Sequence, residues 1–138
     1  MLSSVFLDTN IVLDLFGKRD PFYLDAARIA TLADHGEIQL FTSPLSFATV
    51  HYFLTKFESS SISLNKLQKL RAICKISPVD ESSIDKSLSS EFSDFEDGIQ
   101  YYSALSASCD VIITRNGRDF KHAEIPVMSP LEFLNSLK

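Results

Sequence analysis

The sequence predicts an α/β fold organised around a central parallel sheet. Short β-rich runs punctuate the 138 residues, and segments of helical periodicity fill the gaps between them. Two runs, Val5-Phe6-Leu7 and Val111-Ile112-Ile113, are continuously apolar, the pattern of parallel strands covered on both faces. Such strand–helix–strand alternation uses right-handed crossovers. These leave the strand carboxyl ends along one edge, where open α/β sheets hold ligands. The length suits one domain over 1–138.

Taken in chain order, Val5-Phe6-Leu7 is the first strand. A helix is expected over 22–35, with Phe22, Ala26, Ile29, Ala30 and Ala33 on one side and Asp25 and Asp34 on a polar face. Ile38-Gln39-Leu40-Phe41 follows the Gly36 break as the second strand. The next helix, 44–56, carries Leu45, Ala48 and Tyr52. Ser59 to Ser63 reads as a loop or helix end, and 64–73 carries Leu64, Leu67, Leu70 and Ile73. Lys75-Ile76-Ser77 is the third strand, ahead of Pro78. Asp80-Glu81 starts a helix, and Ser87 to Ser90 reads as a loop or helix end. A helix over 95–107 carries Phe95, Ile99, Tyr102 and Leu105 before Val111-Ile112-Ile113. Pro126-Val127-Met128 is the last strand. Ser129 as cap and Pro130 at the first position then start a closing helix to Leu137.

Composition narrows the function. Thirteen Lys and Arg against 18 Asp and Glu give a net charge of −5, which excludes a basic coat for DNA but not a local site that grips a phosphate through a metal. Apolar residues make up 45%, yet no apolar run approaches the roughly 18 residues of a membrane span. The opening Met1-Leu2-Ser3-Ser4 has no basic region ahead of an apolar stretch, so no secretory leader is expected. Cys74 and Cys109 are too few and too far apart for a disulfide scaffold or a zinc site. They read as buried thiols of a cytoplasmic protein.

Two strands run straight into polar clusters: Asp8-Thr9-Asn10 after the first, and Thr114-Arg115-Asn116-Gly117-Arg118-Asp119 after the fourth. A carboxylate directly after an apolar strand sits at the carboxyl edge of the sheet. If those strands are neighbours, Asp8 and Asp119 approach each other. Asp94-Phe95-Glu96-Asp97 opens the 95–107 helix, with Asp94 and Asp97 on one face. Acids gathered in one pocket repel and are costly to desolvate, which a divalent cation relieves. Oxygen ligands without His or Cys favour Mg²⁺ or Mn²⁺ over zinc. Plainer roles stand beside this one. Asp8 and Asp94 suit helix caps, Asp97 suits a helix first turn, and Asp119 suits a loop. His35, His51 and His122 lack metal-ligand spacing, and His51 reads as packing. Neither G-x-G-x-x-G, nor a P-loop, nor G-x-S-x-G is present.

Val5-Phe6-Leu7-Asp8-Thr9-Asn10-Ile11, Asp94-Phe95-Glu96-Asp97-Gly98, Thr114-Arg115-Asn116 with Asp119-Phe120, and the closing 126–134 stretch together resemble the PIN-domain family, and most closely its VapC-type toxins. The resemblance runs over nearly the whole chain. It implies a three-layer α/β/α sandwich on a mainly parallel sheet of four to five strands, and an Mg²⁺- or Mn²⁺-dependent endoribonuclease held in check by a protein antitoxin. It further implies Asp8, Asp97 and Asp119 as metal-binding catalytic acids, with Asp94 assisting. Thr9, Asn10, Glu96, Thr114, Arg115 and Asn116 are then second-tier or substrate contacts, and Gly117 is expected at a positive φ. The family's remaining acid is a glutamate on the helix after strand two. Here Ser43 to Tyr52 holds no carboxylate, and Thr49 fills that slot. A homodimer through helices 22–35 and 44–57 is expected, and no membrane. Two rival readings are a PIN-like domain that has lost catalysis and binds RNA or protein, and phosphoryl transfer on an aspartate. The latter is disfavoured because position 10 is Asn where a D-x-D phosphatase has Asp.

Overall fold

Five parallel strands form one sheet in the order β3-β2-β1-β4-β5, where β1 is Ser4–Leu7, β2 Gln39–Thr42, β3 Cys74–Ile76, β4 Val111–Ile113 and β5 Val127–Met128. The computed structural model describes residues 2–92 and 94–138; Met1, part of the stretch read above for a leader, and Ser93 lie outside the described residues. The helices are α1 (Thr9–Phe16), α2 (Tyr23–Asp34), α3 (Pro44–Leu54), α4 (Ser60–Ile73), α5 (Glu81–Leu88), α6 (Phe95–Ser106) and α7 (Pro130–Ser136), with a 3-10 turn over Gly117–Phe120. None of them is long and apolar enough to cross a membrane.

The pleat sorts β1 and β4 between two cores. Val5, Leu7, Val111 and Ile113 face Ile11, Val12, Ile29, Val50, Leu54, Leu70 and Phe133, from α1 to α4 and α7. Phe6 and Ile112 face the opposite way, against Tyr101, Ala104, Cys109 and Phe120. The result is the α/β/α sandwich the sequence implied. The chain walks outward from β1 to β3 and then returns to lay β4 on the other side of β1. The sheet therefore switches direction between β1 and β4, at the carboxyl ends where crevices open.

Several expectations need correction. Helix α1 emerges directly from Asp8, which caps it as its position suited, although the helix's extent to Phe16 was not read from the sequence. Helix α4 begins at Ser60 rather than 64, because the Ser59 hydroxyl caps it by accepting from Ile62 N at 3.1 Å. On α3 the buried side chains are Ser46, Val50 and Leu54, not Leu45, Ala48 and Tyr52. On α6, Ile99 is buried as expected, but Phe95 and Leu105 are exposed while Gln100, Tyr101, Ser103 and Ala104 turn inward. Gly117 does not adopt a positive φ; among glycines Gly36 does, after α2. The 3-10 turn that Gly117 opens uses ordinary negative φ, so its missing side chain is not required there. Gly98 matters for space: a Cβ would lie 3.3 Å from Ser87 Cβ and Ser90 Oγ, so it lets α5 pack tightly on α6.

Candidate active site

Parallel pairing fixes the site. Leu7 pairs with Ile113, and Asp8 N donates to Ile113 O at 3.0 Å, so Asp8 and Thr114 leave adjacent strands side by side. Asp8 does cap α1, accepting from Thr9 N at 2.8 Å, yet it also lines a cleft of about 250 Å³. Thr9, Asn10, Asp94, Glu96, Asp97, Asn116 and Asp119 line the same cleft, and so do Thr49, Phe53 and Gln100. Capping and facing the cleft are thus compatible at Asp8. Asp94 likewise caps α6 through Glu96 N at 2.9 Å while standing at the cleft edge, and Asp97 sits in the first turn of that helix.

Asp8 is held rigidly. Thr114 Oγ1 accepts from Asn10 Nδ2 at 3.2 Å and from Asn116 N at 3.1 Å, so its own proton is directed at Asp8 Oδ2, 2.8 Å away. Burial pushes the Asp8 carboxyl above the ordinary aspartate range, opposed by the bonds from Thr114, Thr9 and Gln100. Asp97 is pushed up to about 7, first by desolvation and then by the charges of Asp8, Asp94, Asp119 and Glu96. Asp97 thus feels the same acids that line the cleft with it.

Gln100 and two serines were not anticipated. Gln100, 2% exposed, accepts from Ser43 Oγ and donates through Nε2 towards Ser46 Oγ at 2.8 Å, Thr9 Oγ1 at 3.2 Å and Asp8 Oδ1 at 3.4 Å. Thr9 and Ser46 hydroxyls share a further bond of 2.7 Å. This neutral network links the start of α3 to Asp8. The available signal was spacing: Gln100 lies three residues after Asp97 and so shares its helix face.

Arg115 is not brought into the cleft. Its guanidinium binds Asp14, with Nε to Oδ2 at 2.7 Å and Nη2 to Oδ1 at 3.2 Å, and it stacks on the Phe22 ring at 3.8 Å. Arg19 takes Asp14 Oδ1 as well, at 2.9 Å. The Asp14 side chain is 1% exposed, and two cations satisfy it. Only the Arg115 backbone turns towards the site, donating to Asn10 Oδ1 at 3.4 Å. His51 is packing, its Nδ1 sharing a 2.8 Å bond with Ser63 Oγ between α3 and α4.

The donor chemistry suits a hard divalent cation: the acids offer oxygen only, and their mutual repulsion is uncompensated by any cation lining the cleft. Among the described residues no three His, Cys, Asp or Glu side chains close into a cage that would hold an ion directly. A site that shares an ion with water and phosphate needs no such cage, since Mg²⁺ retains several waters.

Comparison with known proteins agrees with this architecture. The PIN domain family model matches residues 4–118. A curated relative, Ribonuclease VapC1 of Aquifex aeolicus (strain VF5), is 26% identical over 134 residues, covering 94% of this chain and 92% of that protein. Among solved structures, a toxin–antitoxin complex from Klebsiella pneumoniae superposes with a TM-score of 0.67 at 23% identity, covering 91% of this chain and 97% of the other. VapBC2 from Rickettsia felis, bound to a DNA fragment from its promoter, gives 0.64 at 16% identity with the same coverage, 91% and 97%. At those identities the two structures speak for the fold.

Proposed function

Because the chain belongs to the PIN-domain family, we propose that it is a divalent-metal-dependent endoribonuclease, the cytoplasmic toxin of a toxin–antitoxin pair. The observation that carries this reading is the lining of one switch-point cleft by Asp8, Asp97 and Asp119, with Asp94 and Glu96 at its edge. The similarity to Ribonuclease VapC1 supports RNA as the substrate, and the likeness to two toxin–antitoxin complexes supports an antitoxin partner.

Asp8, Asp97 and Asp119 would hold Mg²⁺ or Mn²⁺. When bound, the ion lowers the pKa of a coordinated water and neutralises charge on the phosphoryl group. The chain's own groups do the rest. Thr114 and the Thr9 backbone N–H lock the Asp8 carboxylate in one orientation. Gln100 keeps Thr9 and Asp8 in register with α3. Asn116 and Thr9 line the cleft with neutral donors suited to phosphate oxygens. Asp94 and Glu96 concentrate negative charge at the mouth, which draws in the ion. An antitoxin and a second copy of the chain complete the assembly proposed.

Single-stranded RNA incubated with Mn²⁺ tests the reading. Wild type should cleave it, EDTA should stop the reaction, and Asp97→Asn should abolish it. Cleavage by the variant, or cleavage indifferent to EDTA, refutes the proposal. A second reading, a PIN domain that retains binding but not catalysis, is favoured by the uncharged Thr49 in the cleft. Calorimetry separates the two: micromolar Mn²⁺ binding supports the nuclease, and no heat at millimolar Mn²⁺ supports the binding module.

A further inference from the structure

Three exposed aromatic side chains, one of them at the cleft, remain unexplained. Tyr52 and Phe53, at the end of α3, and Phe57 just beyond it are 63%, 40% and 86% exposed. Rings of this size gathered within one span are not the scattered exposure of ordinary surfaces. The Tyr52 and Phe53 rings meet edge to face, 6.0 Å apart at 85°. Lys56 Nζ lies over both, 4.6 Å from the Tyr52 centroid and 4.9 Å from that of Phe53. Phe53 also lines the acid cleft, so the Tyr52–Phe53–Lys56 group adjoins the site.

Charge indicates the occupant. An acid cleft in a chain of net charge −5 repels a polyanion. Arg19 and Arg115 do not offset this, because both are committed to Asp14. Lys56 presents an ammonium over the Phe53 ring that lines the cleft, and Glu58, two residues on, is paired with Lys66 at 2.8 Å. Exposed rings beside a cation with no acid partner among the described residues match a single strand, whose bases stack while its backbone meets the charge. The same segment, 44–57, is a face expected above for a homodimer, so a second copy is the rival occupant; a dry interface there would strip water from Lys56, for which this strip supplies no counter-charge.

We propose that Tyr52, Phe53 and Lys56, extended by Phe57, form a binding track for single-stranded RNA leading out of the acid cleft, the rings stacking unpaired bases and the ammonium holding a phosphate. The track rests on the ribonuclease reading and names how that enzyme would hold its substrate beyond the bond cut.

The test is titration of a 2-aminopurine-substituted single-stranded RNA with Asp97→Asn protein in Mg²⁺, with light scattering on the same samples. Stacking should quench the fluorophore. Tyr52→Leu and Phe57→Leu, at exposed positions that leave the core intact, should each weaken binding at least about fivefold and reduce the quench. Lys56→Gln should lower the slope of log affinity against log salt by about 0.7. Unchanged affinity and quenching in all three variants overturns the track, as does failure of the Asp97→Asn protein to bind the RNA. Loss of a dimer with RNA affinity unchanged assigns the strip to a second copy and also overturns it. Failure of the nuclease reading is a separate result: RNA held with the expected quench while wild type shows no Mn²⁺-dependent cleavage.

Discussion

Replacing Gln100 by Leu should destabilise the fold measurably, even though the substitution adds apolar surface to a buried position. The amide accepts from Ser43 Oγ and donates to Ser46 Oγ at 2.8 Å, with longer contacts to Thr9 Oγ1 at 3.2 Å and Asp8 Oδ1 at 3.4 Å. Thr9 and Ser46 keep each other, and Asp8 Oδ1 keeps Thr9 N. The Ser43 hydroxyl, fully buried, loses its acceptor. Two good hydrogen bonds at about 1 kcal/mol each, with a fraction more for the longer pair, give a loss of about 2–3 kcal/mol. For a domain of this size that corresponds to a fall of about 6–15 °C in Tm. Urea unfolding in EDTA reads the loss without a metal contribution. Gln100→Glu sharpens the test: shape is kept, but a donor beside Asp8 becomes a second carboxyl, so its stability should fall as pH rises above about 4. A Gln100→Leu loss below about 0.5 kcal/mol, the scatter of an ordinary surface change, would refute the network's role.

Three further outcomes follow. The folded Asp97 carboxyl holds its proton up to about pH 7 whereas the unfolded one releases it near 3.8, so the metal-free protein should lose stability as pH rises between those values. Asp97→Asn should flatten that slope in urea titrations, leaving the part that the raised Asp8 carboxyl contributes; an identical slope contradicts the assignment. Asp14→Ala should cost about 2–4 kcal/mol, below the figure for a sealed ion pair because Arg115 and Arg19 are 27% and 43% exposed and can rehydrate. Adding Arg115→Ala to it should cost much less than its single-variant effect predicts. Thr49→Glu should tighten Mn²⁺ binding at least about tenfold in calorimetry, since one more carboxylate a few ångströms from the ion is worth that much at an effective dielectric near 20; unchanged affinity would show that position 49 does not face the ion.

The strands were legible because central parallel strands are apolar on both faces, and Val5-Phe6-Leu7 and Val111-Ile112-Ile113 announce that without alternation. The cleft acids were legible for a related reason: a carboxylate directly after such a strand has only the sheet edge to occupy. What stayed hidden was polarity that turns inward. Ser46 and Gln100 face the interior because they satisfy each other, which inverts the apolar stripe expected of α3 and α6. Arg115 looked like a phosphate contact because Asp14, its partner 101 residues away, gave no sign of being buried. Helix α1 was legible at its start, where Asp8 suited a cap, but not in its extent, because Asp14 on it is buried against two arginines.

The nuclease reading needs Asp8, Asp97 and Asp119 to share one divalent ion in this cleft. Anomalous diffraction from a crystal soaked in Mn²⁺ measures it directly. A peak bounded by those three carboxylates, and absent in Asp97→Asn, is the expected result. An empty cleft at millimolar Mn²⁺, or a peak on acids elsewhere, contradicts it.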